Sequence, residues 1–261
     1  MLEIKNLTVF YEVNGEYRKA LKGVNLNLDK GETLSLIGES GAGKTTLALS
    51  IPGLLPENAR VEGDIRVDGV SIFSMKEREL MMMRRKKISI IFQEPGSCLM
   101  PGIKVGRQMM NVVRIRRGVE SGSDIEKIAK DYLERVGLDV SRVWDLYPDE
   151  LSGGMAQRVL IAMALCVEPV IVIADEPTSA LDSVNQYLIL NLIKELQREF
   201  NFGLLLISHD LRIAVNFSDR VAILKDGEIV EYGETLAVLK NPGHDYTRKL
   251  IEAALRMSVF A

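Results

Sequence analysis

The chain has 261 residues, 47% of them hydrophobic and 26% charged, with a formal net charge of −3. At roughly 150 residues per domain it lies between one and two domains, and its composition excludes wholesale disorder. Two cysteines exclude a disulfide-stapled miniprotein, the slight acidity gives no bulk electrostatic grip on nucleic acid, and the longest apolar run, Val159–Val167, is far short of the roughly 20 residues that span a bilayer.

Along the chain, Met1–Lys5 reads straight into a strand rather than into a leader. Leu2 and Ile4, then Leu7 and Val9, alternate with polar residues, as do Val24, Leu26 and Leu28 before an Asp29-Lys30-Gly31 turn. Residues 33–37 form a further strand that ends abruptly at Gly38. Ile65 and Val67, then Val70 and Ile72, flank an Asp68-Gly69 hairpin signal. Met81-Met82-Met83 reads as local packing, and Arg84-Arg85-Lys86-Lys87 as a solvated turn. From about Gln93 to Glu168 the pattern is helical. Ser123 to Glu126 has capping-box spacing, Ile125, Ile128, Ala129, Tyr132, Leu133 and Val136 recur at helical intervals, and Gly137 is a stop. Strand–helix alternation then returns, with a buried strand at 170–174, an amphipathic helix at 185–200 and a buried strand at 204–207. Unalternating strands separated by helices predict an α/β fold with a parallel sheet covered on both faces.

Gly38-Glu39-Ser40-Gly41-Ala42-Gly43-Lys44-Thr45 fits G-x-x-x-x-G-K-[ST] at every fixed position, after a strand and before a helix-compatible stretch. Glycines let successive N–H groups converge on phosphate oxygens, and a helix N-terminus favours the anion. Lys44 then neutralises the β- and γ-phosphates, and the Thr45 hydroxyl is a Mg²⁺ ligand. Farther along, Ile171-Val-Ile-Ala-Asp175-Glu176 is a hydrophobic strand ending in two carboxylates. Asp175 is positioned for a second-shell or water-mediated Mg²⁺ contact, and Glu176 for polarising an attacking water. Ser152-Gly153-Gly154, opening an apolar helix, is a second anion-binding helix end. Two such ends in one chain suggest a head-to-tail pair of chains, each lending Ser152-Gly153-Gly154 to the other's nucleotide.

The ordered set Gly38–Thr45, Gln93, Leu151–Gln157, Asp175-Glu176, Ser179–Asp182 and His209 resembles the ATPase domain of ABC transporters over nearly the whole chain. The resemblance implies a RecA-like P-loop NTPase core with an antiparallel β-subdomain and an inserted α-helical subdomain. It divides the chain into 1–92 (β-subdomain and first part of the core), 93–168 (hinge and helical subdomain), 169–235 (rest of the core) and 236–261 (a short tail). It further implies ATP and Mg²⁺, bound in an ATP-sandwich dimer. The resemblance places Tyr11 on adenine, with Tyr17 and Phe10 as rivals. Gly38, Ser40, Gly41, Ala42, Gly43, Lys44, Thr45 and Thr46 surround the phosphates, and Thr45, Gln93 and Asp175 serve the metal. Gln93 also touches the attacking water, Glu176 activates it, His209 contacts the γ-phosphate, and Asp182 communicates across the dimer.

Within that family, Tyr147-Pro-Asp-Glu-Leu-Ser-Gly-Gly-Met-Ala-Gln-Arg and the tail 241–250 resemble the peptide/nickel importer group, with Asp245 where proline is usual and Met100-Pro101 where Asn-Pro is common. The implied partners are a second ATPase subunit, identical or homologous, two membrane permease subunits and an extracytoplasmic solute-binding protein, with no nucleic acid. The implied location is peripheral, on the cytoplasmic face of the membrane. Di- or oligopeptides lead as solute, with nickel or a metal–metallophore complex next and a soluble non-transport ABC ATPase as the rival class. Many peptide-importer members continue into a cysteine-bearing extension. With only Cys98 and Cys166, and an end at Ala261, an iron–sulfur site is not expected, and Cys98 has no evident resolving partner.

Overall fold

The computed structural model describes residues 1–179 and 181–258, so Ala180 of the 179–182 stretch and the end of the 236–261 tail lie outside the described residues. The elements run β1 (Leu2–Val13), β2 (Glu16–Leu28), β3 (Thr33–Ile37), α1 (Lys44–Ser50), β4 (Ala59–Val67), β5 (Val70–Ser71), α2 (Glu77–Lys86), β6 (Ile88–Ile91), α3 (Pro95–Cys98) and α4 (Val105–Arg117). They continue α5 (Gly122–Arg135), α6 (Val140–Val143), α7 (Gly153–Leu165), β7 (Ile171–Asp175), α8 (Ser183–Phe200), β8 (Gly203–Ser208), α9 (Leu211–Phe217), β9 (Arg220–Lys225), β10 (Glu228–Glu234), α10 (Thr235–Lys240) and α11 (Asp245–Ser258). Two compact units emerge: Met1–Leu80 with the chain from Gly203 onward, and Met81–Phe202.

In the first unit, β2-β1-β4-β5 form an antiparallel sheet. The sequence alternation skips a beat between Ile4 and Leu7, and the sheet explains the skip. The β1–β2 register shifts there, with Asn6 at φ +48°. A bulge inserts one unpaired residue and returns the apolar side chains to the inner face. Leu2, Ile4, Leu7 and Val9 are all buried as a result. Gly63 of β4 passes so close to this bulge that a Cβ would stand 2.4 Å from the Asn6 carbonyl oxygen. The hairpin joining β4 to β5 has Asp68 and Gly69 both at positive φ, the backbone of a type I′ turn. Ile72, expected to continue that strand, instead opens a short 3₁₀ turn and remains buried.

The same unit carries β10-β9-β3-β8, with β3 parallel to both β8 and β9 and β10 antiparallel to β9. All five residues of β3 are buried, and each fully buried aliphatic side chain contributes roughly 1.5–3 kcal/mol relative to exposure. Ile37, where this strand ends, belongs to a cluster with Leu211 and Ala214 of α9, Val221 and Ile223 of β9, Val238 of α10 and Tyr246 of α11. The C-terminal helix is thereby packed against the root of the phosphate loop.

In the second unit, β6 pairs in parallel with β7, from Ile88 opposite Ile171 to Ile91 opposite Ala174. The 93–168 stretch is helical as expected, containing α3 to α7. Three local expectations are corrected. The capping box at Ser123 does not form: α5 already begins at Gly122, and the Ser121 and Ser123 hydroxyls bond each other at 2.9 Å. The helix expected from Asn185 begins at Ser183, because Asp182 caps it. The run 81–87 is not packing followed by a turn. Met81 to Lys86 lie in α2, with Met83 buried and Met81 and Met82 exposed.

The basic residues occupy the last turn of α2, where cations suit the helix dipole. That end is capped from outside by Arg116 of α4. Arg116 Nε donates to the Arg85 carbonyl at 3.2 Å, and its Nη2 donates to the carbonyls of Arg84 (3.2 Å) and Ile88 (2.8 Å) and to Ser89 Oγ (3.0 Å). One guanidinium thus satisfies two end carbonyls of α2 and the first residues of β6. Arg116→Ala strands these acceptors in a partly buried place and should destabilise the protein by about 2–4 kcal/mol. A urea denaturation midpoint equal to that of the unmodified chain would contradict this.

Candidate functional site

The expected site residues fall on both units. Tyr11, Gly38–Thr46 and His209 lie on the first, and Gln93, Ser152–Gly154, Asp175, Glu176 and Asp182 lie on the second. On the first unit, the chain leaves β3, makes the loop Gly38–Gly43 and enters α1 at Lys44. The loop closes on its own lysine. Lys44 is buried, and its Nζ donates to the carbonyl oxygens of Gly38 (2.8 Å) and Glu39 (3.0 Å). The Ala42 N–H donates to the Glu39 carbonyl at 3.2 Å, completing a tight turn. Gly43, the residue before α1, has φ +108°, and a Cβ there would stand 2.8 Å from the Ala20 carbonyl oxygen. Only glycine serves there, for conformation and for space.

Three aromatics competed for the adenine in the sequence, and their surroundings differ. Tyr11 donates its hydroxyl to Thr46 Oγ1 at 3.3 Å, which ties β1 to the first turn of α1. Phe10 lies under two cations, Lys19 Nζ at 5.6 Å and the Arg60 guanidinium at 5.9 Å from its ring centre. Tyr17 is exposed, opposite Glu12 in the β1–β2 pair.

His209 follows β8 and is exposed. Its neighbour Asp210 organises the exit from that strand, a role the sequence reading missed. The Asp210 carboxylate accepts the Arg212 N–H and pairs with the Arg212 guanidinium, and the Asp210 N–H donates to Ser208 Oγ at 2.9 Å. Asp210 is therefore the N-cap of α9. An Asp immediately before the apolar-rich stretch Leu211–Val215 was a legible signal.

On the second unit, Gln93 is exposed in the bend after β6. Ser152 is the N-cap of α7, its Oγ accepting the Met155 N–H at 3.3 Å. Asp175 is the last residue of β7, half-buried. Glu176, also half-buried, has φ +47°. Most other non-glycine residues at positive φ are Asn or Asp, which tolerate that region, whereas a glutamate held there is strained. The Glu176 carbonyl accepts from the Ser179 N–H and Oγ, both at 3.2 Å, closing the turn that fixes the strained residue. Asp182 caps α8: its Oδ1 accepts the N–H groups of Val184 (3.1 Å) and Asn185 (3.0 Å), and its Oδ2 accepts from Asn185 Nδ2 at 2.6 Å. The bond from the Asn185 N–H, then that from the Asn185 side chain, holds its carboxyl below the usual range.

The side chains expected to serve a cation all carry hard oxygens: the Thr45 hydroxyl on the first unit, and the Gln93 amide and Asp175 carboxylate on the second. Among the described residues no three His, Cys, Asp or Glu side chains converge as a metal cage. A sparse oxygen set fits Mg²⁺, which keeps waters and shares substrate phosphates, better than a metal held by protein alone. Cys98 is exposed. Cys166 is buried, which pushes its thiol up to about 12.

A buried parallel strand, a glycine loop closed on a buried lysine and a helix starting at that lysine define a P-loop nucleotide-binding protein. The sequence profile of the family described as "ABC transporter" matches residues 21–179, and the chain belongs to this family. It is 39% identical over 258 residues to the oligopeptide transport ATP-binding protein OppD of Salmonella typhimurium, an alignment covering 98% of this chain and 77% of that one. It is 38% identical over 259 residues to the metal-staphylopine import system ATP-binding protein CntD of Staphylococcus aureus, covering 99% and 94%. Among solved structures it is similar to a dimeric post-hydrolysis state of the ATP-binding cassette MJ0796 bound to ADP and Pi, with TM-score 0.79, 35% identity and coverage of 90% and 99%. It is also similar to cbiO1 from Clostridium perfringens, part of the transporter complex cbiONQ, with TM-score 0.80, 28% identity and coverage of 99% and 97%. The fold is the ABC ATPase fold, and the chain is an ATP-binding and ATP-hydrolysing subunit. Among the described residues no helix is long and apolar enough to cross a membrane.

Asp210 gives this site a pH signature. Burial raises its pKa, but the hydrogen bonds and charge of Arg212 outweigh burial, so the carboxyl titrates below its ordinary value. A depressed carboxyl stabilises the fold above its unfolded pKa, and that contribution is lost as pH falls through the folded value. Asp210→Ala should cost about 1–2 kcal/mol at neutral pH. The gap to the unmodified chain should stay constant down to about pH 5 and close below about pH 4. A gap that grows on acidification would contradict the assignment.

Proposed function

We propose that this chain energises an ABC importer of di- or oligopeptides. The observation that carries the reading is the 39% identity to OppD across 98% of the chain. In this reading it forms a dimer with a second ATPase subunit, identical or homologous, at the cytoplasmic face of the membrane. There it docks on two permease subunits served by an extracytoplasmic solute-binding protein. The 93–168 segment is the helical subdomain and hinge facing the permeases, 1–92 and 169–235 make up the β-subdomain and core, and 236–261 is the tail. A metal–metallophore importer is the second reading, favoured by 38% identity to CntD over 259 residues.

The residues divide the work as follows. Tyr11 stacks on adenine, supported by its bond to Thr46 at the start of α1. Gly38 and Ser40 to Thr46 surround the phosphates, and Lys44 supplies the cation for the β- and γ-phosphates. Thr45, Gln93 and Asp175 would hold Mg²⁺, which would supply positive charge to offset that of the phosphates. Glu176 accepts a proton from water as the water oxygen bonds the γ-phosphorus and the bond to ADP breaks. The strained backbone of Glu176 supports this role, because strain of this kind collects at catalytic positions. His209 and Gln93 contact the γ-phosphate side. Ser152, Gly153 and Gly154 serve the nucleotide of the second subunit, and Asp182 lies on the turn through which the two subunits communicate. ATP binding favours the closed dimer and hydrolysis releases it, which drives alternating access in the permeases.

Glu176→Gln should leave ATP affinity within a few-fold of the unmodified chain, trap a dimer and lower turnover by about 10²- to 10⁴-fold. Normal steady-state hydrolysis by that variant would remove Glu176 from the mechanism. Co-purification of the native complex identifies its membrane partners. Stimulation of its ATPase by peptide supports the first reading, and stimulation by a metal–metallophore complex selects the second.

A further inference from the structure

The tail has no part in the mechanism just described, yet it reaches the phosphate loop. The backbone N–H of Glu39, the second residue of the loop, donates to the phenol oxygen of Tyr246 at 3.2 Å, across 207 residues of chain. Tyr246 is buried, and its ring shares a cluster with Ile37, the last residue before the loop. Lys225 Nζ stands 5.2 Å from the centre of that ring. The ring therefore shares the apolar cluster of Ile37, and its hydroxyl takes a hydrogen bond from Glu39 two residues farther on. Glu39 also offers its carbonyl oxygen to Lys44 Nζ and to the Ala42 N–H. The Glu39 N–H shares its peptide with the Gly38 carbonyl, which also accepts Lys44 Nζ, and the Glu39 carbonyl lies on the next peptide, so a displacement at Glu39 would move the lysine and the turn together.

Tyr246 is itself held in place. It sits in the first turn of α11, whose entry is pinned by Glu231 of β10. The Glu231 carboxylate accepts the N–H groups of Gly243 at 2.7 Å and His244 at 3.3 Å. His244 Nδ1 accepts the Tyr246 N–H at 3.0 Å. Arg248 closes the turn from the other side, its Nε donating to the Pro242 carbonyl and its Nη2 to the Gly243 carbonyl, both at 3.2 Å. Leu250, Ile251 and Ala254 continue the helix along the same apolar cluster. This is more machinery than a loose tail requires, and it converges on one hydroxyl.

We infer that Tyr246 is a positioning residue for nucleotide binding: its phenol oxygen fixes the Gly38–Glu39 peptide, and thereby the Lys44 side chain held by the Gly38 carbonyl and the turn that follows, in the conformation that receives the phosphates. The inference rests on the reading that Gly38–Thr46 bind the nucleotide. It makes the 241–248 segment part of the ATP site without contact to ATP. Because the loop holds phosphates alike in the ground and transition states, the effect falls on binding rather than on the chemical step.

The test uses the full chain and Mg·ATP. Tyr246→Phe keeps the ring in its cluster and removes only the oxygen. It should weaken ATP and ADP binding, and raise KM, by about two- to tenfold, with kcat within about twofold of the unmodified chain. Glu231→Gln, which weakens the anchor, should move ATP affinity in the same direction by less. A merely structural tyrosine would lower the denaturation midpoint and leave nucleotide affinity alone. In the unmodified chain, the Glu39 amide should be protected from hydrogen exchange, and Tyr246→Phe should release it. Unchanged ATP affinity in Tyr246→Phe, or a freely exchanging Glu39 amide in the unmodified protein, overturns the positioning role. Failure of the unmodified chain to bind Mg·ATP overturns the nucleotide-site reading and the inference with it.

Discussion

The structure turns on a buried ammonium. Lys44 is at the end of a loop that follows a fully buried strand, and an ammonium taken from water into such a place needs oxygen partners. The loop provides them by folding back, so that the carbonyls of Gly38 and Glu39 face Nζ. This closure explains the glycines. At Gly38 a Cβ would stand 2.4 Å from the Leu224 carbonyl oxygen, and at Gly43 it would meet Ala20 and Leu21. The strand fixes where the loop starts, the lysine fixes how it closes, and α1 starts where it closes. A lysine that closes a glycine loop at the start of a helix is the arrangement on which the proposed phosphate site rests, before any catalytic residue is considered.

Around this loop the first unit is arranged to hold it still. Tyr11 ties β1 to α1, Tyr246 ties α11 to Glu39, and Asp210 caps the helix that follows His209. On the second unit, the residues assigned a role with nucleotide are held by turns rather than by a loop. Glu176 is strained at the end of β7, Asp182 is spent on capping α8, and Ser152 caps α7. In each case the residue assigned a role with nucleotide also ends or begins an element. The local backbone therefore sets the direction in which the functional group emerges.

The parts of this account that could be read in the sequence are those with fixed spacing. The phosphate loop, the strand ending in Asp175-Glu176 and the glycine pair at Gly153-Gly154 need particular residues at particular positions, because backbone geometry permits few alternatives. The skipped alternation between Ile4 and Leu7 was visible as pattern, but its cause, a bulge at Asn6, needed the partner strands. Helix α2 escaped because only Met83 of its three methionines is buried, so the 3.6-residue stripe is absent, and because its end is capped by Arg116, about thirty residues away. Ser123 was read as a cap from spacing alone, while the helix began two residues earlier, behind Ser121. The bond from Glu39 to Tyr246 had no local signal at all. The tail was recognisable as a family-like stretch, and its contact with the loop exists only once β9, β10 and α11 are packed.

The claim on which everything else depends is that the loop around Lys44 is the nucleotide receptor. Calorimetric titration of the full chain with Mg·ATP, beside Lys44→Ala, tests it directly. The account predicts saturable binding that Lys44→Ala weakens by about 10- to 100-fold, as expected for loss of a charge-assisted contact. Equal affinity in the two proteins would contradict it.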